Sequence, residues 1–141
     1  MKKYLLSSIV ILLTMIASPV NAQAQIEPQS KENYVILTKK IPQLQPIYLT
    51  AETLMEEDGE NFGKFEVIIC GQTVQELKDK DMMQEYIKKA EKANVDLVVC
   101  GFSLNKFGVD RKDISSQLRI VENGILYNLQ LQKKGYTSIS L

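Results

Sequence analysis

Short apolar runs of strand length recur along most of the chain, separated by stretches of helix length. The runs cover residues 34–38, 65–70, 95–100, 118–121 and 137–141. The second and third runs are nearly continuous in β-branched and other apolar residues, which is typical of strands that are covered on both faces. The pattern therefore predicts about five strands, with the second and third in the interior of the sheet.

The stretches between the first three runs carry helix signals. Pro46 is placed to open a first helix, which ends near Gly59. Asp81, with Gln84 three positions later, resembles a capping box that opens a second helix, and Asn94 is placed to end it. The residues predicted to face the core are Ile47, Ala51, Leu54 and Met55 in the first helix and Met83, Tyr86, Ile87 and Ala90 in the second.

A last helix is predicted from about Asn123. It closes with the cations Lys133 and Lys134 in its last turn and then with the cap residue Gly135. The residues predicted to face inward are Ile125, Leu126 and Leu129. Because parallel strands need helical crossovers, the alternation predicts an α/β fold: a single small doubly wound domain of about five mostly parallel strands with helices on both faces.

The first 22 residues have the three-part layout of a secretory signal peptide. Lys2 and Lys3 come first, an apolar stretch follows at 9–16, and small residues then stand at cleavage spacing. Cleavage fits after Ala22 or, alternatively, after Ala24. The apolar stretch is shorter than the ~20 residues that span a bilayer. We therefore expect an exported protein, periplasmic or extracellular, with no membrane attachment after cleavage.

The segment after the predicted signal peptide is polar. Residues 23–33 contain a proline and no apolar period, which predicts a flexible lead-in to a domain over residues 34–141. Basic and acidic residues number 17 each, so nucleic acid is not an expected partner. The chain has no histidine, which excludes histidine-based triads, cysteine–histidine dyads and the common zinc sites. We expect no metal and no cofactor.

The two cysteines each end a predicted strand and precede a glycine, in Cys70-Gly71 and Cys100-Gly101. In open α/β sheets, the loops at the carboxyl ends of the strands form the ligand crevice. A short helix beyond Cys100, with its first N–H groups directed back at the sulfur, would favour the thiolate. The predicted site consists of Cys100 as the principal thiol, Cys70 as a second thiol, and the crevice residues Gly71, Gly101, Phe102, Ser103 and Asn105.

Two other interpretations of the cysteines stay open. Free cysteine is among the most buried residue types and often ends a core strand for packing alone. If the two strands are neighbours, their spacing of ~4.8 Å also falls within the Cα range of a disulfide, and export makes oxidation chemically feasible. A structural thiol pair and a disulfide therefore remain alternatives to a reactive thiolate.

The order of these features resembles the DsrE/DsrF-like family. The series consists of a strand, Cys-Gly, a short helix and Gly-Val over residues 97–109, an apolar strand before Asn123-Gly124, the final helix, and Lys134-Gly135-Tyr136 before an apolar terminal strand. The similarity covers roughly residues 65–141 and extends more loosely to Tyr34. The resemblance implies a five-stranded α/β fold and assembly into homo-oligomers, either trimers or hexamers.

In some members of that family, a cysteine at the end of the third strand takes up sulfur as a persulfide and hands it to the next carrier. That position corresponds to Cys100. The resemblance thus implies a sulfur donor and acceptor, either proteins or small sulfur compounds, as partners. The relay proteins of the family are cytoplasmic, whereas this chain carries a predicted export signal.

Three functional hypotheses follow. In the first, Cys100 accepts and donates sulfane sulfur, with the N–H groups of Gly101 and Ser103 stabilising the anion and Cys70 as a second thiol. In the second, the crevice of a non-catalytic module binds a small ligand or a partner protein, and the cysteine is structural. In the third, the two cysteines form a redox switch, although 30 positions separate them, unlike a Cys-x-x-Cys oxidoreductase.

Overall fold

The computed structural model describes residues 30–141, so the predicted signal peptide and residues 23–29 of the predicted lead-in lie outside the described residues. Strands and helices alternate along the chain. The elements are β1 (Glu32–Thr38), α1 (Leu44–Asp58), β2 (Phe62–Ile69), α2 (Lys80–Lys92), β3 (Val95–Cys100), α3 (Gly101–Lys106), β4 (Arg119–Val121), α4 (Gly124–Lys133) and β5 (Thr137–Ser140). Short 3-10 turns occupy Ile41–Gln43, Gly59–Asn61, Gln72–Lys78 and Arg111–Asp113.

The five strands form one sheet in the order β4-β3-β2-β1-β5, and every neighbouring pair is parallel. From β1 to β4 the chain steps to the adjacent position each time, and α1, α2 and α3 pack on one face. The last crossover, α4, passes back over the opposite face and delivers β5 beside β1. The predicted doubly wound α/β fold is confirmed, as are the interior positions of the second and third strands.

The core divides into two parts of unequal thickness. The larger cluster lies between the sheet and the helices α1, α2 and α3, where Ile47, Ala51, Met83, Ile87 and Ala90 are buried as predicted. The smaller cluster lies under α4 and consists of Val35, Leu37, Ile68, Cys70, Val98, Cys100 and Leu131. Both cysteines therefore belong to the thinner side of the molecule, which a single helix covers.

β1 and α1 both start earlier than the sequence indicates. β1 begins at Glu32, inside the predicted lead-in, because Glu32 pairs with Phe62 and the Asn33 side chain accepts the N–H of Lys64 at 2.8 Å. α1 begins two residues before Pro46, since the preceding 3-10 turn leads directly into it. Proline is tolerated in a first helical turn, where its missing N–H has no intrahelical partner to lose.

The predicted capping box at the start of α2 is wrong. The cap is Asp79, whose side chain accepts the N–H of Met82 at 3.0 Å, while Asp81 lies within the first turn. An aspartate at the cap satisfies one of the free N–H groups of the helix start. Asn94 follows the end of the helix with φ of 55°, a left-handed conformation that asparagine tolerates better than most residues, so the predicted stop is confirmed.

The prediction of which residues of α4 face inward is also wrong. Asn123 caps this helix as expected, and Gly135 follows its end with φ of 88°. However, Ile125, Leu126 and Leu129 are 64%, 52% and 51% exposed, because a different helical phase turns Gly124, Asn128 and Leu131 toward the sheet. We call Ile125, Leu126 and Leu129 the exposed apolar face of α4.

A buried carboxylate fixes α4 on the sheet. Glu66, in β2, is only 3% exposed and forms an ion pair with Arg119 of β4. The same carboxylate accepts the hydroxyl of Tyr127, in α4, at 2.8 Å and that of Tyr136 at 3.4 Å. The Arg119 guanidinium lies 5.1 Å from the centroid of the Tyr127 ring. Through these contacts, Glu66 connects the middle of the sheet to the helix whose first residue borders the cysteines.

Candidate functional site

The two cysteines lie side by side at the carboxyl edge of the sheet. The parallel register pairs Ile69 with Val99, so the residues that follow them, Cys70 and Cys100, stand opposite each other. Their side chains lie on one face, within the smaller core cluster, and the residues are 5% and 4% exposed. Both are free thiols. The structure thus brings the two strand-end cysteines together under the start of α4.

Ser103 connects the two strand ends. The short helix α3 begins directly after Cys100, as predicted, and its third residue is Ser103. The Ser103 hydroxyl accepts the N–H of Gly71 at 2.9 Å, which joins the loop after β2 to the helix after β3. The same side chain makes hydrogen-bond contact with both thiols. The Ser103 oxygen thus holds the loop after β2, and its hydroxyl lies within hydrogen-bonding reach of both sulfur atoms.

Gly124, the first residue of α4, is a further residue of the site that was not predicted. The Asn123 side chain accepts the N–H groups of Ile125 and Leu126, and the N–H of Gly124 donates to Cys100 Sγ at 3.3 Å. A β-carbon at Gly124 would lie 2.7 Å from Cys70 Sγ and 3.1 Å from Cys100 Cβ. Only glycine therefore allows the helix to approach this closely, and the signal for it was the glycine directly after the Asn123 cap.

The environments of the two thiols differ in their effect on acidity. Burial alone would raise the pKa of Cys100, but the Ser103 hydroxyl, the N–H groups of Gly124 and Ser103, and the Cys70 thiol together hold that pKa below its usual value. Burial, reinforced by the charge of Cys100, raises the pKa of Cys70 to about 12. Cys100 is thus the more acidic thiol of the pair, and Cys70 is the less acidic one.

A pocket of about 290 Å³ opens above the two sulfur atoms. Among residues 30–141, its charged lining side chains are Lys39, which follows β1, and Lys106, in α3, and none of the lining side chains is acidic. Its walls are otherwise mostly apolar. The lining residues are Leu37, Lys39, Cys70, Gly71, Cys100, Phe102, Ser103, Lys106, Phe107, Asn123 and Ile125. The pocket combines an acidified thiol, two cations and apolar walls, an arrangement suited to an anion that contains sulfur.

Of the predicted crevice residues, Gly71, Phe102 and Ser103 line this pocket. Gly101 lies beneath it instead, where a β-carbon would stand 3.1 Å from the carbonyl oxygen of Val121, so its role is close packing. Asn105 is not brought to the pocket and borders a separate depression. The helical rotation of about 100° per residue explains this correction, because it turns Ser103 and Lys106 to the pocket and Asn105 away from it.

Neither a cluster of metal ligands nor a membrane-spanning helix occurs within residues 30–141. Within this range, no group of three or more cysteine, aspartate or glutamate side chains is arranged to hold a metal ion. None of the helices in the same range combines the length and the apolar character needed to cross a bilayer.

Comparisons with known proteins identify the family. Two solved structures share the fold. The first is MTH1491 from Methanobacterium thermoautotrophicum, a protein of unknown function, with 16% sequence identity and a TM-score of 0.67; the match covers 79% of this chain and 100% of that one. The second is BT1422 from Bacteroides thetaiotaomicron, a conserved protein of unknown function, with 16% sequence identity and a TM-score of 0.57; the match covers 78% of this chain and 95% of that one. No curated protein matches the sequence. The model of the DsrE/DsrF-like family matches residues 64–141, more than half of the chain. The chain belongs to the DsrE/DsrF-like family.

Proposed function

We propose that this protein takes up sulfane sulfur as a persulfide on Cys100 and passes it to an acceptor. The observation that carries the proposal is the hydrogen bond from the N–H of Gly124 to Cys100 Sγ, at 3.3 Å, beneath an open pocket. A donor fixed in the backbone stabilises negative charge on that sulfur without reorganisation. The same donor favours Cys100 as the attacking thiolate and as the leaving thiolate when the sulfur moves on.

The chemistry requires no further catalytic group. The Cys100 thiolate attacks the sulfane sulfur of a donor, a new S–S bond forms, and the donor's leaving group departs with the electron pair of the broken bond. Lys39 and Lys106, which line the pocket, favour an anionic donor such as thiosulfate or polysulfide. An acceptor thiolate then attacks the outer sulfur of the persulfide and releases Cys100 as a thiolate.

Brief incubation of the mature protein with inorganic polysulfide is expected to add the mass of one sulfur atom. The adduct is expected to disappear in Cys100→Ser and to form in Cys70→Ser, because Cys100 is the more acidic thiol. Intact-protein mass spectrometry measures the adduct, and a reducing agent that cleaves S–S bonds should remove it. Lack of any adduct across a range of pH would contradict the proposal and favour the non-catalytic binding module.

The two-cysteine redox switch predicts a different state of Cys70 and Cys100 in the isolated protein. It requires a Cys70–Cys100 disulfide in the exported protein before any sulfur compound is added. A count of free thiols on protein isolated from the periplasm or the medium tests this requirement: two thiols contradict the switch, and none is consistent with it. Recovery of the mature protein from that compartment also tests the export that we propose.

We further propose that the protein acts as a homo-oligomer. The exposed apolar face of α4 supports this, since three large apolar side chains on one helix favour a protein contact. Ile125 belongs both to this face and to the wall of the cysteine pocket, so a neighbouring subunit would border the site. The proposed assembly is a trimer or a hexamer.

Leu129→Asp is expected to dissociate the oligomer into monomers, because it places a charge in the middle of the apolar contact. Gln130→Asp adds the same charge to an exposed neighbouring position of α4 and should leave the assembly intact. Size-exclusion chromatography with light scattering measures the mass of each. A monomeric wild-type protein, or a Leu129→Asp variant of unchanged mass, would contradict the proposed interface.

A further inference from the structure

Persulfide carriage as proposed above needs one thiol, yet the site holds two. We propose that Cys70 resolves the Cys100 persulfide: the Cys70 thiol attacks Cys100 Sγ, releases the sulfane sulfur as hydrogen sulfide, and leaves a Cys70–Cys100 disulfide. This inference rests on the proposed persulfide and assigns the second cysteine a chemical role. It makes the protein a sulfide-releasing reductase of sulfane sulfur when no acceptor takes the sulfur first.

The placement of the two cysteines supports a direct S–S bond. The register sets them opposite each other on neighbouring parallel strands, whose ~4.8 Å spacing lies within the range of Cα separations that disulfides span. Their side chains point to the same face and meet in one small cluster. Cys70 Sγ and Cys100 Cβ lie 2.7 Å and 3.1 Å from the point where a β-carbon of Gly124 would stand. Both side chains thus border the space that the glycine leaves open.

Atoms and electrons balance within the loaded protein. A bond forms between Cys70 Sγ and Cys100 Sγ, and the bond from Cys100 Sγ to the outer sulfur breaks with its electron pair on the outer sulfur. That sulfur keeps its own proton, takes the proton of the Cys70 thiol, and leaves as H₂S. The sulfane sulfur is reduced by two electrons, and the two cysteine sulfurs are oxidised to the disulfide. Before another cycle, an external dithiol reductant must reduce the disulfide through the pocket.

The acidity of Cys70 controls how long the persulfide lasts. The groups that face this thiol are Cys100 on β3, Ser103 on α3 and Lys39 after β1, while α4 contributes only backbone at Gly124. Burial and the neighbouring Cys100 keep the thiol protonated at neutral pH, since its pKa is raised to about 12. Because the thiolate is the nucleophile, release of sulfide should accelerate as the pH rises above neutral. At neutral pH an acceptor therefore has time to collect the sulfur.

The test compares the wild-type protein with Cys70→Ser and Cys70→Ala after brief loading with inorganic polysulfide and desalting without oxygen. We expect the wild type to release one equivalent of sulfide and to end as a Cys70–Cys100 disulfide, with the rate rising between pH 7 and 9. Both variants should keep the adduct at least tenfold longer. Circular dichroism verifies that each variant is folded, and the two substitutions guard against a packing defect in either one.

The outcomes separate this inference from the proposed function. An adduct that forms on every protein and decays equally fast with and without Cys70 overturns the resolving role and leaves the persulfide carrier intact. A disulfide that forms in the wild type without an equivalent of sulfide also overturns it. Failure of all three proteins to form an adduct overturns the proposed function itself, and the inference with it.

Discussion

Replacing Arg119 with methionine is expected to lower the free energy of unfolding by about 3 kcal/mol. The arginine is the cationic partner of Glu66, a carboxylate that is 3% exposed. Without it, the carboxylate keeps the Tyr127 and Tyr136 hydroxyls but remains a buried charge without a counterion. Equilibrium unfolding in urea measures the loss, as a lower midpoint with an unchanged slope.

The protein supplies a matched control for this change. Arg111 pairs with Glu122 at 2.8 Å, and its side chain is 46% exposed, but that of Glu122 is 77% exposed. The side chain of Arg119 is almost equally exposed, at 45%, whereas that of Glu66 is only 4% exposed. Arg111→Met should therefore cost no more than about 1 kcal/mol. The double change Glu66→Met with Arg119→Met removes both charges and should recover part of the stability lost in Arg119→Met alone. Equal losses from Arg119→Met and Arg111→Met would show that Glu66 does not depend on its counterion.

Two substitutions at Gly124 are expected to separate its effect on the stability of the protein from its effect on the acidity of Cys100. Gly124→Ala and Gly124→Pro both add a β-carbon 2.7 Å from Cys70 Sγ, so both should destabilise the protein, alanine by about 2 kcal/mol. Proline should cost more, because its Cδ takes the place of the hydrogen that is directed at Cys100 Sγ. Only proline also removes the N–H that Cys100 Sγ accepts. In a Cys70→Ser background, the pH midpoint for alkylation of Cys100 by iodoacetamide should therefore rise by about one unit more in the proline variant.

Proline suits this position in other respects. Gly124 is the first residue of α4, where proline is readily accommodated, and Asn123 before it has the extended backbone that proline requires. Asn123→Ala is the control, because it weakens the same helix start by removing the cap and leaves the Gly124 N–H in place. If the alkylation midpoint rises as far in Asn123→Ala as in Gly124→Pro, the hydrogen bond to sulfur is not what sets the acidity of Cys100.

Local patterns in the sequence were sufficient for most of the architecture. The continuous apolar runs of β2 and β3 identified interior strands, because a strand covered on both faces needs apolar residues at every position. The Cys-Gly pairs that follow these runs indicated the site, because parallel strands present their carboxyl ends at one edge. The Asn123 cap and the Gly135 stop bounded α4 correctly. Each of these signals depends on residues close together in the chain.

Several of the errors and omissions concern contacts between distant residues. Ile125, Leu126 and Leu129 have the spacing of a buried stripe, but the phase of α4 follows from the close approach that Gly124 permits. In the sequence, Glu66 is only a polar position within an apolar strand. Its partners could not be predicted, because Arg119, Tyr127 and Tyr136 lie more than 50 positions further along the chain. The unequal acidity of the two thiols likewise depends on donors from α3 and α4 that only the folded chain assembles.

The pairing of β5 with β1 has a consequence for how the domain folds. The residues in this pair are about a hundred positions apart, so the contacts that complete the sheet carry the largest loop-closure entropy of the fold and form slowly. Until the β5 segment arrives, β1 is an edge strand whose free N–H and C=O groups can pair with another chain. The partly folded protein is therefore most prone to aggregate along β1, and pairing with β5 protects that edge.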